Sequence, residues 1–302
     1  MTYVMFLAGL LLLIAGGEGL VRGASGIARH FRISPMVIGL TIVGFGTSAP
    51  ELLVSLEAAL TGQPGLAIGN VVGSNIANIL LILGISAVMA PLVIPIRKMY
   101  RDFGFMLAAM ALMWIMLLDG MIGRLDGAIL FMGLIGFLAM AFFSGEVEPI
   151  DDMPLPSMPL AWAMTLGGLV GLVLGAGLLV DSASTIARSF GVSEAVIGLS
   201  IVAIGTSLPE LTTSIIAALR KETEIAVGNV VGSNVFNVFG ILGTTALITP
   251  IPAEPRFAQV DMVWMAAATA LLVLAALKLG TLPRWLGLGF LTLYAAYLAM
   301  MA

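Results

Sequence analysis

Ten stretches of mostly apolar residues, separated by short polar connections, run through this 302-residue chain. A helix needs roughly 20 such residues to cross the hydrocarbon core of a bilayer. Only 10% of the residues are charged, whereas a soluble domain usually carries about 25%. The sequence therefore predicts an all-α polytopic membrane protein with ten transmembrane helices, at about 3–24, 34–60, 66–92, 102–119, 123–144, 159–182, 193–219, 224–248, 258–278 and 283–301.

The composition also excludes several classes of function. A formal net charge of −4 and the low charged fraction argue against a nucleic-acid-binding protein. It contains no cysteine and one histidine, His30, so thiolate metal sites, iron–sulfur clusters and thiol catalysis are excluded. We expect no nucleic-acid partner, no resident cofactor and no obligatory protein partner. Function should reside in the few polar residues inside the membrane.

The distribution of Lys and Arg predicts the orientation, because cytoplasmic connections carry the excess of basic residues. With the N-terminus outside, ten basic residues fall on the cytoplasmic side and three on the outer side. We therefore expect an inner-membrane protein with both termini in the periplasm. The cytoplasmic set is Arg22, Arg29, Arg32, Arg97, Lys98, Arg101, Arg220, Lys221, Lys278 and Arg284, and the outer set is Arg124, Arg188 and Arg256.

Two sequence blocks recur at a fixed distance. G-T-S-A-P-E at 46–51 returns as G-T-S-L-P-E at 205–210, and G-N-V-V-G-S-N at 69–75 returns unchanged at 228–234. Both offsets are 159 positions (210 − 51 and 228 − 69). This interval holds five predicted helices, an odd number, so the second copy must enter the membrane in the opposite direction. Inverted repeats of this kind are typical of secondary transporters, whose site lies near mid-membrane between the copies.

The repeat divides the chain into three parts. Residues 1–144 form the first five-helix repeat, with its motif at 44–78, and residues 159–302 form the second, with its motif at 203–237. Between them, 145–158 is an acidic, proline-containing segment. We interpret that segment as a cytoplasmic linker.

Glu51 and Glu210 lie at equivalent positions inside apolar stretches, each directly after a proline. A charged residue at mid-bilayer costs at least about 2.5–3.5 kcal/mol, so two at repeat-related positions indicate a function. The prolines remove backbone donors and should loosen carbonyls near Gly44 and Ala203. Carboxylates and freed carbonyls are hard oxygen ligands, which suit Ca²⁺ or Na⁺.

The second block supplies neutral oxygens. Ser74 and Asn78 are four residues apart and so share one helix face, and Ser233 with Asn237 repeats that face. We expect the glycines of these blocks to allow close helix packing. The remaining asparagines should bond to the backbone or to neighbouring helices, and they are Asn70, Asn75, Asn229 and Asn234.

The charge of the predicted site limits what it can carry. Two ionised carboxylates give −2, which one Ca²⁺ or two Na⁺ would balance. Without a cation, two like charges in a low dielectric would favour protonation, so protons would compete with the metal. The residues alone therefore leave exchange of Ca²⁺ against Na⁺ and against H⁺ both open.

The same residues allow other interpretations. Ser48-x-x-Glu51 and Ser207-x-x-Glu210 match the capping box, in which the glutamates would only cap helices. A cation channel would usually need oligomeric symmetry around a pore. An intramembrane enzyme would need a base that the single, loop-located histidine does not supply. Glu18 and Asp181 are not repeat-equivalent (181 − 18 = 163). We expect both at the membrane interface, and the alternative is that either lines an access path.

The doubled G-T-S-x-P-E and G-N-V-V-G-S-N-x-x-N blocks resemble the two α-repeats of the cation/Ca²⁺ exchanger superfamily, in particular the K⁺-independent prokaryotic sodium/calcium exchangers. The resemblance spans nearly the whole chain. It implies a secondary active antiporter that exchanges Na⁺ for Ca²⁺ by alternating access, with both ions bound as substrates. It also implies that the first and sixth helices, 3–24 and 159–182, act as a sliding gate.

The resemblance also implies the site residues. Glu51 and Glu210 would be the main Ca²⁺ ligands. Asparagine at 237, where K⁺-dependent relatives carry aspartate, argues against K⁺ co-transport and leaves two charged ligands. Proton-coupled relatives usually differ in the second block, which favours Na⁺ over H⁺. The flanking Na⁺ ligands would be Thr47, Ser48, Thr206, Ser207 and the carbonyls of Gly44 and Ala203, and the cluster would be completed by Ser74, Asn78, Ser233 and Asn237.

Overall fold

The computed structural model describes residues 1–143, 156–191 and 203–301. In the first of these ranges the α-helices are Thr2–Phe31, Pro35–Ile38, Gly44–Thr47, Ala49–Leu60, Pro64–Ala77, Leu83–Met89, Ile96–Leu117 and Arg124–Phe143, with π-helical turns at Gly39–Val43 and Asn78–Ile82. In the other two they are Met158–Ser189, Ala203–Gly205, Leu208–Leu219, Thr223–Val235, Gly243–Ile248, Met262–Leu279 and Arg284–Met301, with π-helical turns at Phe236–Leu242 and Phe257–Asp261.

Helices long and apolar enough to cross a membrane dominate the described residues. Seven qualify singly, and the bent pair Pro35–Thr47 and Ala49–Leu60 makes an eighth. Two shorter or less apolar helices, Leu208–Leu219 and Arg284–Met301, lie where the seventh and tenth spans are expected. The structure thus shows a helical membrane protein, and the count of ten stays a prediction.

The first helix is longer than the sequence predicts. It runs to Phe31 rather than to residue 24, so His30 lies in its last turn and not in a loop. The helix ends only at Arg32, whose left-handed φ of 55° breaks the pattern, followed by the Ser34–Pro35 start of the next helix. The apolar pattern predicts the part that lies in the bilayer, but a helix continues until a stop signal. The helix predicted at 159–182 likewise extends over Met158–Ser189.

These two long helices pack against each other along glycines. The first helix places Gly9, Gly16 and Gly23 against Met158–Ser189, so that a Cβ at Gly16 would lie 2.7 Å from the backbone nitrogen of Leu172. Small residues at such crossings let helix backbones approach closely in membranes. The two helices predicted to act as a gate therefore meet backbone to backbone.

Short antiparallel strands join the two halves of the chain. Leu92–Val93 pairs with Thr281–Leu282, and Met121–Ile122 pairs with Ile251–Pro252. The first pair joins the third and ninth predicted connections, and the second pair joins the fourth and eighth. Each strand pair thus joins two odd-numbered or two even-numbered connections. Ten spans of alternating direction require this, because they place odd and even connections on opposite sides of the membrane.

Two expectations lie outside the described residues. Residues 144–155, which include most of the linker predicted at 145–158, are not among them. Residues 192–202, which include the beginning of the seventh span predicted at 193–219, are not among them either. The linker at 145–158 therefore stays a prediction, as does the division of the chain into two inverted repeats.

Candidate functional site

The two predicted acids are buried and lie together. Glu51 and Glu210 are each 1% exposed, and each occupies the first turn of a helix that begins at a break. The Ser48 hydroxyl donates to Glu210 Oε1 across 3.0 Å, from one half of the chain to the other. Ser207 interacts reciprocally with the Glu51 carboxylate, and the two carboxylates are near enough to repel each other.

The breaks before these helices aim the acids inward. Pro35–Thr47 and Ala49–Leu60 meet at an angle of 44°, with Ser48 at the bend. Pro50 has no N–H to bond the carbonyl of Gly46, so the regular ladder cannot continue through this point. Irregular backbone at membrane depth is tolerated only inside protein or along a cavity. The bend therefore places Glu51 at a helix end within the protein interior.

The capping interpretation does not describe this geometry. Ser48 and Ser207 occupy the N-cap positions, but neither makes a side-chain cap hydrogen bond to the helix that follows it. The Ser48 hydroxyl is used by the carboxylate of the opposite half instead. One oxygen of each carboxylate, Glu51 Oε2 and Glu210 Oε2, is buried without a hydrogen-bond partner.

The Gly44 carbonyl differs from the expectation. It accepts the Ser48 backbone N–H at 3.2 Å and the Ser233 hydroxyl at 3.2 Å, so Pro50 does not free it. The reason is that the helical turn closes at Ser48, before the proline. Thr47 lies beside it, with its hydroxyl 3.0 Å from the Val43 carbonyl.

Three more residues of the predicted site are among the described residues. Thr206 Oγ1 is buried without a partner. Ser74 is buried one turn before Asn78. Ala203 begins the short helix Ala203–Gly205 at the edge of the described residues.

Two asparagine oxygens complete the set of buried acceptors. Asn78 and Asn237 are each 1% exposed, and the Oδ1 of each has no hydrogen-bond partner. Both residues lie at the start of π-helical turns, a distortion that often marks functional sites. The turn that contains Asn78 contacts the Glu210 helix, and the turn that contains Asn237 contacts the Glu51 helix.

The first asparagine of each second block, Asn70 or Asn229, bonds to the helix that carries a glutamate. This confirms the expectation that these asparagines bond to the backbone and to neighbouring helices. Asn70 donates to the Glu51 carbonyl at 3.1 Å and Asn229 donates to the Glu210 carbonyl at 3.3 Å. Each amide also donates to a serine hydroxyl on the same helix as its glutamate, at 2.9 and 3.0 Å. The helix that carries each glutamate is thereby fixed to the neighbouring helix of its own half.

The second-block glycines of the later half pack helices closely, as expected. The expectation is wrong for Gly69 and Gly73, where an added Cβ would meet no described atom closer than 3.8 Å. A Cβ at Gly228 would lie 2.9 Å from the Met36 carbonyl oxygen, and one at Gly232 would lie 2.3 Å from that of Leu40. Gly44 also lies close to the helix Thr223–Val235, since a Cβ at Gly44 would lie 3.0 Å from the backbone nitrogen of Ser233. These glycines bring the two halves into contact beside the acids.

Glu18 lies outside this cluster. Its carboxylate contacts Arg22 at 2.7 Å and also Arg220, and its side chain is 35% exposed. Asp181 is exposed as well. Both residues thus lie at the surface of the protein, and their placement at the membrane interface stays a prediction.

The sequence analysis missed a second pair of buried acids. Asp102 and Asp261 are each 4% exposed and are related by the same offset (261 − 102 = 159). Asp261 lies 3.6 Å from Arg256 and accepts the Tyr297 hydroxyl at 3.3 Å. The signal was present, because Arg97 and Arg256 each precede these acids by five positions. Both acids lie near connections and not in the cluster around Glu51.

The cluster has the chemistry of a hard-cation site. Within the described residues there is no group of three or more His, Cys, Asp or Glu side chains that could hold a metal. The candidate metal ligands are therefore two carboxylates, with amide and hydroxyl oxygens around them. Such oxygens are ligands for Ca²⁺ and Na⁺ rather than for soft metals.

Comparisons with known proteins agree with this chemistry. A family model described as sodium/calcium exchanger protein matches residues 1–143 and 160–302. CaxA of Alkalimonas amylolytica is 42% identical over 291 residues, which cover 93% of this chain and 91% of CaxA. The sodium/calcium exchanger MaX1 of Methanosarcina acetivorans is 30% identical, over 99% of this chain and 98% of MaX1. A solved structure of the sodium-calcium exchanger NCX_Mj matches with a TM-score of 0.90 at 36% identity, covering 100% of this chain and 99% of that one.

Proposed function

We propose a function from one premise: this chain belongs to the sodium/calcium exchanger protein family. It is a transmembrane antiporter of that family. The finer proposal is that it exchanges Na⁺ for Ca²⁺ by alternating access to a single mid-membrane site. Glu51 and Glu210 would carry the charge of that site.

One observation carries the proposal: four buried oxygens that only accept hydrogen bonds have no donor among the described residues. They are Glu51 Oε2, Glu210 Oε2, Asn78 Oδ1 and Asn237 Oδ1. A buried polar atom left without a partner costs about 1–3 kcal/mol, so such atoms need a reason. A cation supplies that reason, because carboxylate and amide oxygens are the ligands that Ca²⁺ and Na⁺ prefer.

The charge of the pair explains why transport would be an exchange. Glu51 and Glu210 together hold −2, which one Ca²⁺ or two Na⁺ neutralise. A bare pair of like charges in the membrane interior is unfavourable. The protein would therefore change its access side mainly when loaded. Binding one ion species displaces the other, since both need the same carboxylates.

Neighbouring oxygens would provide the remaining ligands. We assign Asn78 and Asn237 to the central cluster with the glutamates. The Gly44 carbonyl already accepts three hydrogen bonds, so a Na⁺ there would share an oxygen that Ser48, Ser233 and Thr47 also use. The other proposed ligands are Thr47, Ser48, Ser74, Thr206, Ser207, Ser233 and the Ala203 carbonyl.

Contacts at the protein surface support the proposed topology. Arg29 pairs with Glu222 at 3.4 Å and Lys98 pairs with Glu224 at 3.5 Å. These pairs join the first and third predicted connections to the seventh, all of which face the cytoplasm if ten helices alternate. With basic residues concentrated there, both termini would face the periplasm.

The test is Ca²⁺ uptake into proteoliposomes under a Na⁺ gradient, a pH gradient or neither. We expect uptake driven by internal Na⁺ and nearly abolished by Glu51→Gln or Glu210→Gln. Glu57→Gln is the matched control, because Glu57 is exposed on the same helix as Glu51. Near-native uptake in both site variants would refute the assignment. Uptake driven only by the pH gradient would favour Ca²⁺/H⁺ exchange, and currents beyond transporter turnover would favour a channel.

A further inference from the structure

Four asparagines form a closed hydrogen-bonded group between the halves of the chain. Asn78 Nδ2 donates to Asn234 Oδ1 at 3.0 Å, and Asn237 Nδ2 donates to Asn75 Oδ1 at 3.0 Å. Asn75 and Asn234 in turn each donate their own Nδ2 to the other's backbone carbonyl, at 3.3 and 3.4 Å. The four residues are 0–2% exposed, so the group is buried in the interior of the protein.

The bonding of each amide shows what the group does. An asparagine side chain has one oxygen that accepts and one NH₂ that donates, at opposite ends of a flat amide. In Asn75 and Asn234 both ends are occupied by bonds to the other half. In Asn78 and Asn237 only the nitrogen is occupied, and the oxygen is left without a partner. The first pair therefore determines which end of each amide in the second pair is bonded and which end is left as an open acceptor.

We propose that Asn75 and Asn234 are positioning residues that hold the amides of Asn237 and Asn78 with oxygen, and not nitrogen, toward the transported cation. This proposal rests on the proposed function. Asn75 and Asn234 do not bind the ion themselves. If either amide rotated by half a turn, two N–H donors would face the ion in place of an acceptor. Groups that orient metal ligands typically change metal affinity about 10–100-fold when they are removed.

The pairing is crossed between the halves, which gives it a specific signature. Asn75 orients Asn237, and Asn234 orients Asn78, so each half aims a ligand of the other. A carboxylate has an oxygen at both ends and needs no such orientation. Replacing Asn237 by aspartate should therefore make Asn75 dispensable, whereas replacing Asn78 by aspartate should not.

The experiment compares Asn75→Ala in three backgrounds: the native chain, Asn237→Asp and Asn78→Asp. The measured quantities are the Ca²⁺ concentration for half-maximal uptake and the maximal rate, in Na⁺-loaded proteoliposomes. Direct Ca²⁺ titration in detergent supplements them. We expect the half-saturating Ca²⁺ concentration to rise about 10–100-fold in the native chain and with Asn78→Asp. With Asn237→Asp we expect a change of less than about threefold, since no amide is left to orient.

The mirrored variant provides the control. Asn234→Ala should be rescued by Asn78→Asp and not by Asn237→Asp, although both backgrounds add the same charge. Asn75→Leu is tested in parallel. Leucine fills the space that alanine leaves but cannot bond to Asn237, so an effect shared by both variants comes from the lost hydrogen bonds and not from lost packing.

Each result is decisive. Equal effects of Asn75→Ala in all three backgrounds, or a fall in maximal rate without a change in half-saturation, would overturn the positioning role while leaving the exchanger function intact. Failure of the native chain to take up or bind Ca²⁺ would instead refute the proposed function. Rescue along the crossed pairs alone would confirm the inference, because a purely structural role has no reason to follow that pattern.

Discussion

A methyl group added at Gly168 should loosen the packing of the two long helices, whereas the same methyl at the adjacent Gly167 should not. A Cβ at Gly168 would lie 2.5 Å from the backbone nitrogen of Leu20 and 2.6 Å from the Gly16 carbonyl oxygen. Ordinary contacts begin near 3.4 Å, so the backbones must separate by about 0.9 Å (3.4 − 2.5). A Cβ at Gly167 would meet no described atom within 4 Å.

The energetic comparison is simple because the two glycines are neighbours in the middle of one helix. Each Gly→Ala change gains up to about 1 kcal/mol of helix propensity, and this gain cancels between the variants. The difference then isolates the overpacking, which typically costs about 1–3 kcal/mol. We expect the midpoint of thermal unfolding in detergent to be lower for Gly168→Ala than for Gly167→Ala. The scale is roughly 2–4 °C for each kcal/mol.

Equal unfolding midpoints for the two variants, or a lower midpoint for Gly167→Ala, would show that the helices do not meet through their backbones. A larger substitution, Gly168→Val, should extend the same trend. If it unfolds at the same temperature as the native chain, the close approach at this crossing is refuted independently of helix propensity.

Three further changes have defined outcomes. Ser48→Ala removes a buried bond to the Glu210 carboxylate, worth about 1.5–3 kcal/mol, and should raise the half-saturating Ca²⁺ concentration about tenfold or more. Tyr297→Phe removes the donor to buried Asp261 and should lower stability by about 1–3 kcal/mol, measured by thermal unfolding. Glu18→Gln breaks exposed ion pairs with two arginines and should change stability by less than about 1 kcal/mol in the same assay.

Matched controls exist for the first two changes. Thr61→Ala removes an exposed hydroxyl at the end of the Glu51 helix and should leave Ca²⁺ half-saturation unchanged. Tyr294→Phe removes the hydroxyl of the ring that packs 6.5 Å from Tyr297, and it should cost less than Tyr297→Phe. Equal effects of a change and its control would contradict the assigned bonds.

The sequence predicted the features that depend on residue type and spacing. Two acids at equivalent places in apolar stretches indicated a shared charged site, because isolated charges are too costly in a membrane. Four-residue spacing placed Asn78 one turn after Ser74 on the same helix face. These inferences needed only the helical period and the cost of burying charge, and the structure brings Glu51 and Glu210 together.

The remaining details depend on contacts between distant segments, which spacing does not contain. Ser48 has the sequence of a cap, but its hydroxyl bonds to Glu210, 162 positions away. The end of the first helix depends on the backbone conformation of Arg32, beyond the apolar pattern. Asp102 follows Arg101 at the start of a predicted span, and only its contacts with other segments bury it. Which end of an asparagine amide faces the site depends on a partner in the other half.

The crossed asparagine bonds have a consequence for how such a molecule could arise. A chain made of one half alone would hold one glutamate and its asparagines, and the groups that orient them would be missing. It would need a partner to supply the other half before a complete site existed, and on the predicted inverted repeat that partner is a copy of itself in the opposite orientation. Such an assembly would depend on concentration. Joining two copies in one polypeptide makes their encounter part of folding, and it lets each copy afterwards acquire residues that the other lacks.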